Sequence, residues 1–236
     1  MKYGESIFDI LYLVFAITAG IIILIRGKNQ ASKMFGLAAL FLGVGDAFHL
    51  VPRVLNYFSD ADLTAWLGTG KLVTSITMTL FYLILYFAYM SLFGKRPKAF
   101  HITFFVLYWA RLALCVLPFN NWRTNESPYL WTILRNIPFV ALGVLIVVLY
   151  YKKRNEEKTL GRVWLWTALS FLFYIPVFAA ANFVPALGAL MLPKTVCYVL
   201  MLVAFLRYAK KSVAEKEPDE TETEETAETE EIQNAE

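Results

Sequence analysis

Seven apolar runs, separated by short polar stretches, occupy most of the first 207 residues. They lie near 5–25, 33–55, 71–93, 99–119, 129–150, 162–184 and 186–207. Each is long enough to supply the roughly 20 residues with which a helix crosses a ~30 Å hydrocarbon core. The pattern predicts an all-α, polytopic membrane protein: a seven-transmembrane-helix bundle over 1–211. Glu5 and Asp9 open the first run, where a removable signal peptide would carry a basic stretch, so this run reads as a retained helix.

The polar positions that interrupt the runs are more informative than the runs themselves. Asp9, Asp46, His49, Arg53, Lys71, Arg111, Arg135 and Lys194 all fall within or at the edge of an apolar segment. Charges at that depth cost roughly 2.5–3.5 kcal/mol each on insertion scales and mark functional sites by default. At ~1.5 Å rise per residue all eight lie in the same half of the bundle. The opposite halves, such as AGIIILI and YVLMLVAFL, are apolar. A polar pocket over an apolar floor is expected.

Basic residues orient the bundle. The connections at 26–33, 94–98 and 151–162, with the exit at 207–211, hold 14 Lys and Arg, whereas the opposite connections hold Arg123, Lys71 at a helix edge and Lys2. The positive-inside rule then places the N-terminus outside and the C-terminus in the cytoplasm, with the pocket facing outward from the plasma membrane. Trp66, Trp122, Tyr129 and Trp131 mark one interface, and Trp164 and Trp166 the other.

Composition supports this reading, with 58% hydrophobic and 17% charged residues. The net charge of +3 hides a division: one Lys and 11 Asp or Glu fall in 215–236. Residues 212–236 are expected to form a disordered acidic cytoplasmic tail, too poor in apolar groups to fold alone. Cys115 and Cys197 lie within predicted helices and read as packing residues rather than a disulfide.

The densest polar motif is GDAFHLVPR. Asp46, His49 and Arg53 share one helical face by i, i+3, i+7 spacing. Asp46 is placed to orient the His49 ring, the usual preparation of a general acid or base, which makes these two the candidate catalytic residues. Candidate ligand-binding residues are Arg53, Arg111, Arg135, Asn136 and Lys194, with Thr74 and Ser75 at similar depth. Asp9, Arg53 and Lys71 are near enough to the interface to be discounted from the deep set. Three deep cations then face one deep carboxylate, and arginine suits a bidentate grip on phosphate or carboxylate. A membrane lipid or a small anionic ligand would complete the balance. Pro52, Pro138, Pro176 and Pro193 are expected to kink four helices beside these residues.

No metal is expected, because His49 and His101 fall in opposite halves and cannot share an ion. No cofactor and no nucleic-acid partner is expected; a cytoplasmic protein partner has a candidate surface at the basic loop 151–162. A lysine in the seventh segment resembles the plan of microbial rhodopsins and implies a retinal-type photoreceptor built on Lys194. Against this, segment 3 offers no acid as counter-ion and segment 6 reads FLFYIPVF. GLAALFLGVGDAFHLVPRVLNYF resembles the Gly-Asp helix of the lysoplasmalogenase-like membrane hydrolases, and LGTGKLVTSITMTLFYLILYF resembles that family's next helix. The resemblance covers about a fifth of the chain and implies an intramembrane hydrolase with Asp46 as a catalytic carboxylate. That family's second, Ser-Asp-containing helix has no match here.

Overall fold

The computed structural model describes residues 2–94 and 96–214. The described residues form seven α-helices: α1 (Lys2–Arg26), α2 (Gln30–Phe58), α3 (Thr64–Phe93), α4 (Lys98–Val116), α5 (Tyr129–Lys152), α6 (Val163–Ala180) and α7 (Met191–Ala214). All seven are long and apolar enough to cross a membrane, α7 with the six-residue 3-10 turn Pro185–Leu190 that leads into it. The acidic tail expected from 212 lies outside the described residues from 215 onward, and α7 continues through Ala214.

Consecutive helices pack against one another, and α1 meets α7 to close a ring, with α3 also touching α5 and α2 touching α7. Side-chain caps fasten one end of that ring. Asn29 caps α2 by accepting from the Ser32 N–H at 2.7 Å and donates to the Tyr208 hydroxyl at 3.0 Å. The Ser32 and Ser212 hydroxyls pair at 3.0 Å nearby. This is the basic end, where the connections 27–29, 94–97 and 153–162 lie. The interior above it is filled by rings: Phe35 stacks on Phe205 with centroids 4.4 Å apart, and Tyr86 on Phe104 at 4.2 Å. Outward positions such as Leu11, Ile25, Val106, Trp109 and Leu172 are apolar and more than half exposed, as a lipid-facing surface requires.

Several boundaries differ from the hydropathy pattern. α3 begins at Thr64, so Lys71 is two turns inside a helix rather than at its edge. α6 ends at Ala180. Pro193 is the third residue of α7, where the missing N–H would have no helical partner in any case; it starts this helix and does not kink it. Pro52, Pro138 and Pro176 do lie inside their helices.

α2 and α3 approach closely because glycine permits it. A Cβ on Gly70 would collide with the Phe48 carbonyl, the group that Pro52 deprives of its helical partner. A Cβ on Gly45 would collide with Thr77. Thr74 consequently reaches the Gly45 carbonyl at 2.9 Å. This contact sets the Gly45–Asp46 turn of α2 directly against the polar face of α3.

Candidate functional site

At the end of the bundle opposite the basic connections, the helices open around two adjoining cavities of about 540 and 610 Å³. They share His49, Thr74, Met191 and Lys194 as a common wall. The polar face of α2 and α3 therefore serves both, and α7 contributes Lys194 where its first turn meets them.

The first cavity is rich in cations. Lys71 on α3, Arg111 on α4, Arg135 on α5 and Lys194 on α7 line it, against one carboxylate, the exposed Glu126 of the α4–α5 connection. Arg111, Arg135 and Lys194 are 2, 8 and 9% exposed. None of the four makes a salt bridge among the described residues. Neutral groups hold them instead. Arg111 donates to the Arg135 carbonyl at 2.5 Å and lies 4.8 Å from the Phe139 ring centroid. Arg135 donates to Asn120 Oδ1 at 2.6 Å and stacks 4.4 Å over Trp122. The Lys194 ammonium sits 4.5 Å from the Tyr174 centroid and 5.4 Å from that of Tyr198. Dipoles and ring faces orient cations but do not neutralise them. Phe139 forms the floor with Tyr82 and Phe171, the three rings lying 5.3–5.5 Å apart.

The α4–α5 connection roofs this cavity. Asn120 is fully buried and donates to the Leu114 and Leu117 carbonyls at 2.7 and 2.9 Å, satisfying the end of α4. Trp122 donates from Nε1 to the Cys115 carbonyl at 2.8 Å, and its own carbonyl packs where Gly68 has no side chain. Asn136 accepts from the Tyr174 hydroxyl at 2.9 Å and donates to the Thr132 carbonyl at 2.8 Å, so both ends of its amide are engaged at the wall.

The second cavity has the opposite balance. Glu5, Asp9 and Asp46 line it with Arg53 and Lys194. Arg53 forms an ion pair with Glu5, and Tyr57 donates to the same carboxylate at 3.0 Å, so this cation is already matched. Asp46 accepts from the Tyr12 hydroxyl at 2.7 Å and interacts electrostatically with Lys194 through the shared wall. Asp9 is 5% exposed, and its Oδ2 has no hydrogen-bond partner among the described residues.

The candidate residues thus divide. Thr74, Ser75, Arg111, Arg135, Asn136, Lys194 and His49 line the cation-rich cavity, while Asp46 and Arg53 line the other. Lys71 and Asp9, discounted as interfacial, face the cavities. The expected Asp46–His49 pair is absent: Asp46 takes its hydrogen bond from α1, and His49 Nδ1 is buried without a partner among the described residues. Neighbours on one helical face do not bond when a closer donor comes from another helix. Tyr12, Asn120 and Tyr174 support the site and carried no sequence signal, since such residues are ordinary in apolar runs and loops; Trp122, read as an interfacial aromatic, supports it too. Among the described residues no group of His, Cys, Asp and Glu could hold a metal ion. Cys115 and Cys197 are buried and free. No protein-family model, no curated protein and no solved structure matches the chain.

Proposed function

We propose that this chain is an integral membrane protein that binds an anionic or amphiphilic, lipid-like ligand in the cation-rich cavity, with that cavity and the N-terminus on the outer side of the plasma membrane. One observation carries the reading: Lys71, Arg111 and Arg135 line a half-open cavity with no salt-bridge partner among the described residues. An uncompensated buried charge costs several kcal/mol, so a ligand that brings the missing negative charge gains that energy on binding. The arginines offer forks suited to phosphate or carboxylate, and the Phe139 floor with Met78 offers apolar contact below them. A hydrolase using Asp46 and His49 has less support, since the two are not bonded to each other and Asp46 is held by Tyr12.

The test uses the purified full-length protein in detergent and a single-chain phosphate amphiphile, lysophosphatidic acid, with uncharged monoolein as control. Native mass spectrometry should show lysophosphatidic acid bound in preference to monoolein. Arg111→Gln should weaken the phosphate ligand on the order of tenfold or more while leaving monoolein unchanged. Equal binding of both ligands, or an unaffected variant, would overturn the assignment. A cysteine placed at Glu126 should react with an impermeant thiol reagent added outside intact cells; protection there would reverse the proposed sidedness.

A further inference from the structure

A third cavity lies at the basic end, remote from the two described above. It encloses about 630 Å³ between the start of α2, the end of α3 and the start of α4. Arg96, Lys98 and His101, with the neutral Gln30 and Ser91, supply its polar side, and none of its lining residues among those described is a carboxylate. Arg96 lies with its guanidinium 4.7 Å from the Tyr89 ring centroid, which fixes the plane of the fork. Its Nε and Nη2 are buried without a hydrogen-bond partner among the described residues. Two adjacent unsatisfied donors on one edge of a guanidinium form the pattern that a phosphate or carboxylate fills with a parallel pair of hydrogen bonds. His101 adds a third donor. Its Nδ1 lies 2.7 Å from the Tyr86 hydroxyl, and in the tautomer in which Nδ1 accepts from Tyr86 the ring proton sits on Nε2.

The surroundings decide what kind of anion fits. His101 and Ile102 also begin a shallow trough along α4, continued by Phe105, Val106 and Trp109. Ile102, Val106 and Trp109 are 62, 62 and 63% exposed and recur at helical spacing, so the trough runs about 10 Å along the axis on the face turned away from the bundle. A polar head pocket that continues directly into an apolar surface trough matches an amphiphile and offers nothing further to a free ion.

We infer that this pocket and trough form a binding site for an anionic phospholipid, its phosphate on Arg96 and His101 with Lys98 at the rim, and one acyl chain laid along α4. The inference rests on the reading that the helices cross a bilayer, but not on the ligand of the cation-rich cavity. Anionic lipids gather at the basic side of such proteins, where each Lys or Arg near the surface contributes attraction.

The experiment places the full-length protein in nanodiscs of equal phosphatidylglycerol and phosphatidylcholine with matched chains, and counts retained lipids by native mass spectrometry after partial delipidation. The wild type should keep phosphatidylglycerol in preference. Arg96→Gln should lower that retention on the order of tenfold. Ile102→Asn, on an exposed position whose change leaves the core intact, should weaken it as well. If both variants keep phosphatidylglycerol like the wild type, the site is refuted. If inorganic phosphate alone strips the lipid and Ile102→Asn has no effect, the pocket is a free-anion site and the lipid assignment fails. Arg96 and Ile102 line neither of the other two cavities, so loss of retention in these variants with lysophosphatidic acid binding intact separates this site from the cation-rich cavity.

Discussion

Tyr12 shows how a single hydroxyl organises charge in this protein. It is 3% exposed on α1 and donates to Asp46 on α2 at 2.7 Å, holding the carboxylate in the wall of the second cavity. A hydrogen bond to a charged group contributes about 1.5–3 kcal/mol, and its loss leaves a buried acceptor unsatisfied. Tyr12→Phe should therefore lower the thermal unfolding temperature of the purified protein, whereas Tyr12→Phe combined with Asp46→Asn should lower it by less than the two separate losses together. An additive double variant would show that the pair is not coupled. At this scale the sequence was legible wherever a charge sat in an apolar run: Arg111, Arg135 and Lys194 stand out because their burial is costly. Tyr12, Asn120 and Tyr174 do not stand out. A tyrosine costs little in an apolar segment, and only the fold decides whether its hydroxyl faces lipid or a carboxylate on another helix. Glu5 was visible as an acid opening the first run, but its pairing with Arg53 depends on how the start of α1 meets the end of α2.

Among the elements, the α2–α3 pair packs closely through Gly45 and Gly70 and builds the wall that the two cavities share. The run pattern located both helices but began α3 at Lys71, since the preceding LGTG is too polar and glycine-rich to count as apolar. The helix extends two turns further because the α4–α5 connection covers those turns, with the Trp122 carbonyl lying against Gly68. The consequence was that Lys71 read as interfacial when it faces a cavity. Gly70 carries the junction at the Pro52 bend. Gly70→Ala would drive a methyl group into the Phe48 carbonyl and the adjacent His49 backbone, which cannot yield as a flexible side chain would. Overpacking of this kind costs about 1–3 kcal/mol. A thermal melt of Gly70→Ala should show that loss, and the displaced His49 should weaken lysophosphatidic acid binding in the same variant. An unchanged melt would mean that the two helices have room to separate.

Across the whole molecule, the ring is held at its basic end by an ion pair that reports on pH. Glu157, in the α5–α6 connection, accepts from Lys211 of α7 at 2.8 Å and from the Thr159 backbone and hydroxyl at 3.0 and 2.6 Å. Burial acts to raise its carboxyl, but these hydrogen bonds outweigh it and hold the group below the ordinary value of 4.5. A carboxyl depressed in the folded state contributes stability that is present above 4.5 and lost as the pH falls through its lower folded value. Glu157→Gln should therefore lower the unfolding temperature at neutral pH, and the gap from the wild type should close on acidification below that range. A gap that persists in acid would assign the effect to packing instead. The seven-helix plan was legible from hydropathy alone, but closure through α1 and α7 was not, because nothing local in either helix names its partner.

That closure gives α7 two duties at once. It packs against both α1 and α6, and it carries Lys194, the ammonium common to both cavities. Without α7, the ring would lose the neighbour that joins α1 to α6, and the wall between the chambers would lose its cation. The helix is keystone and partition together, so closing the ring and separating the two chambers are one structural event.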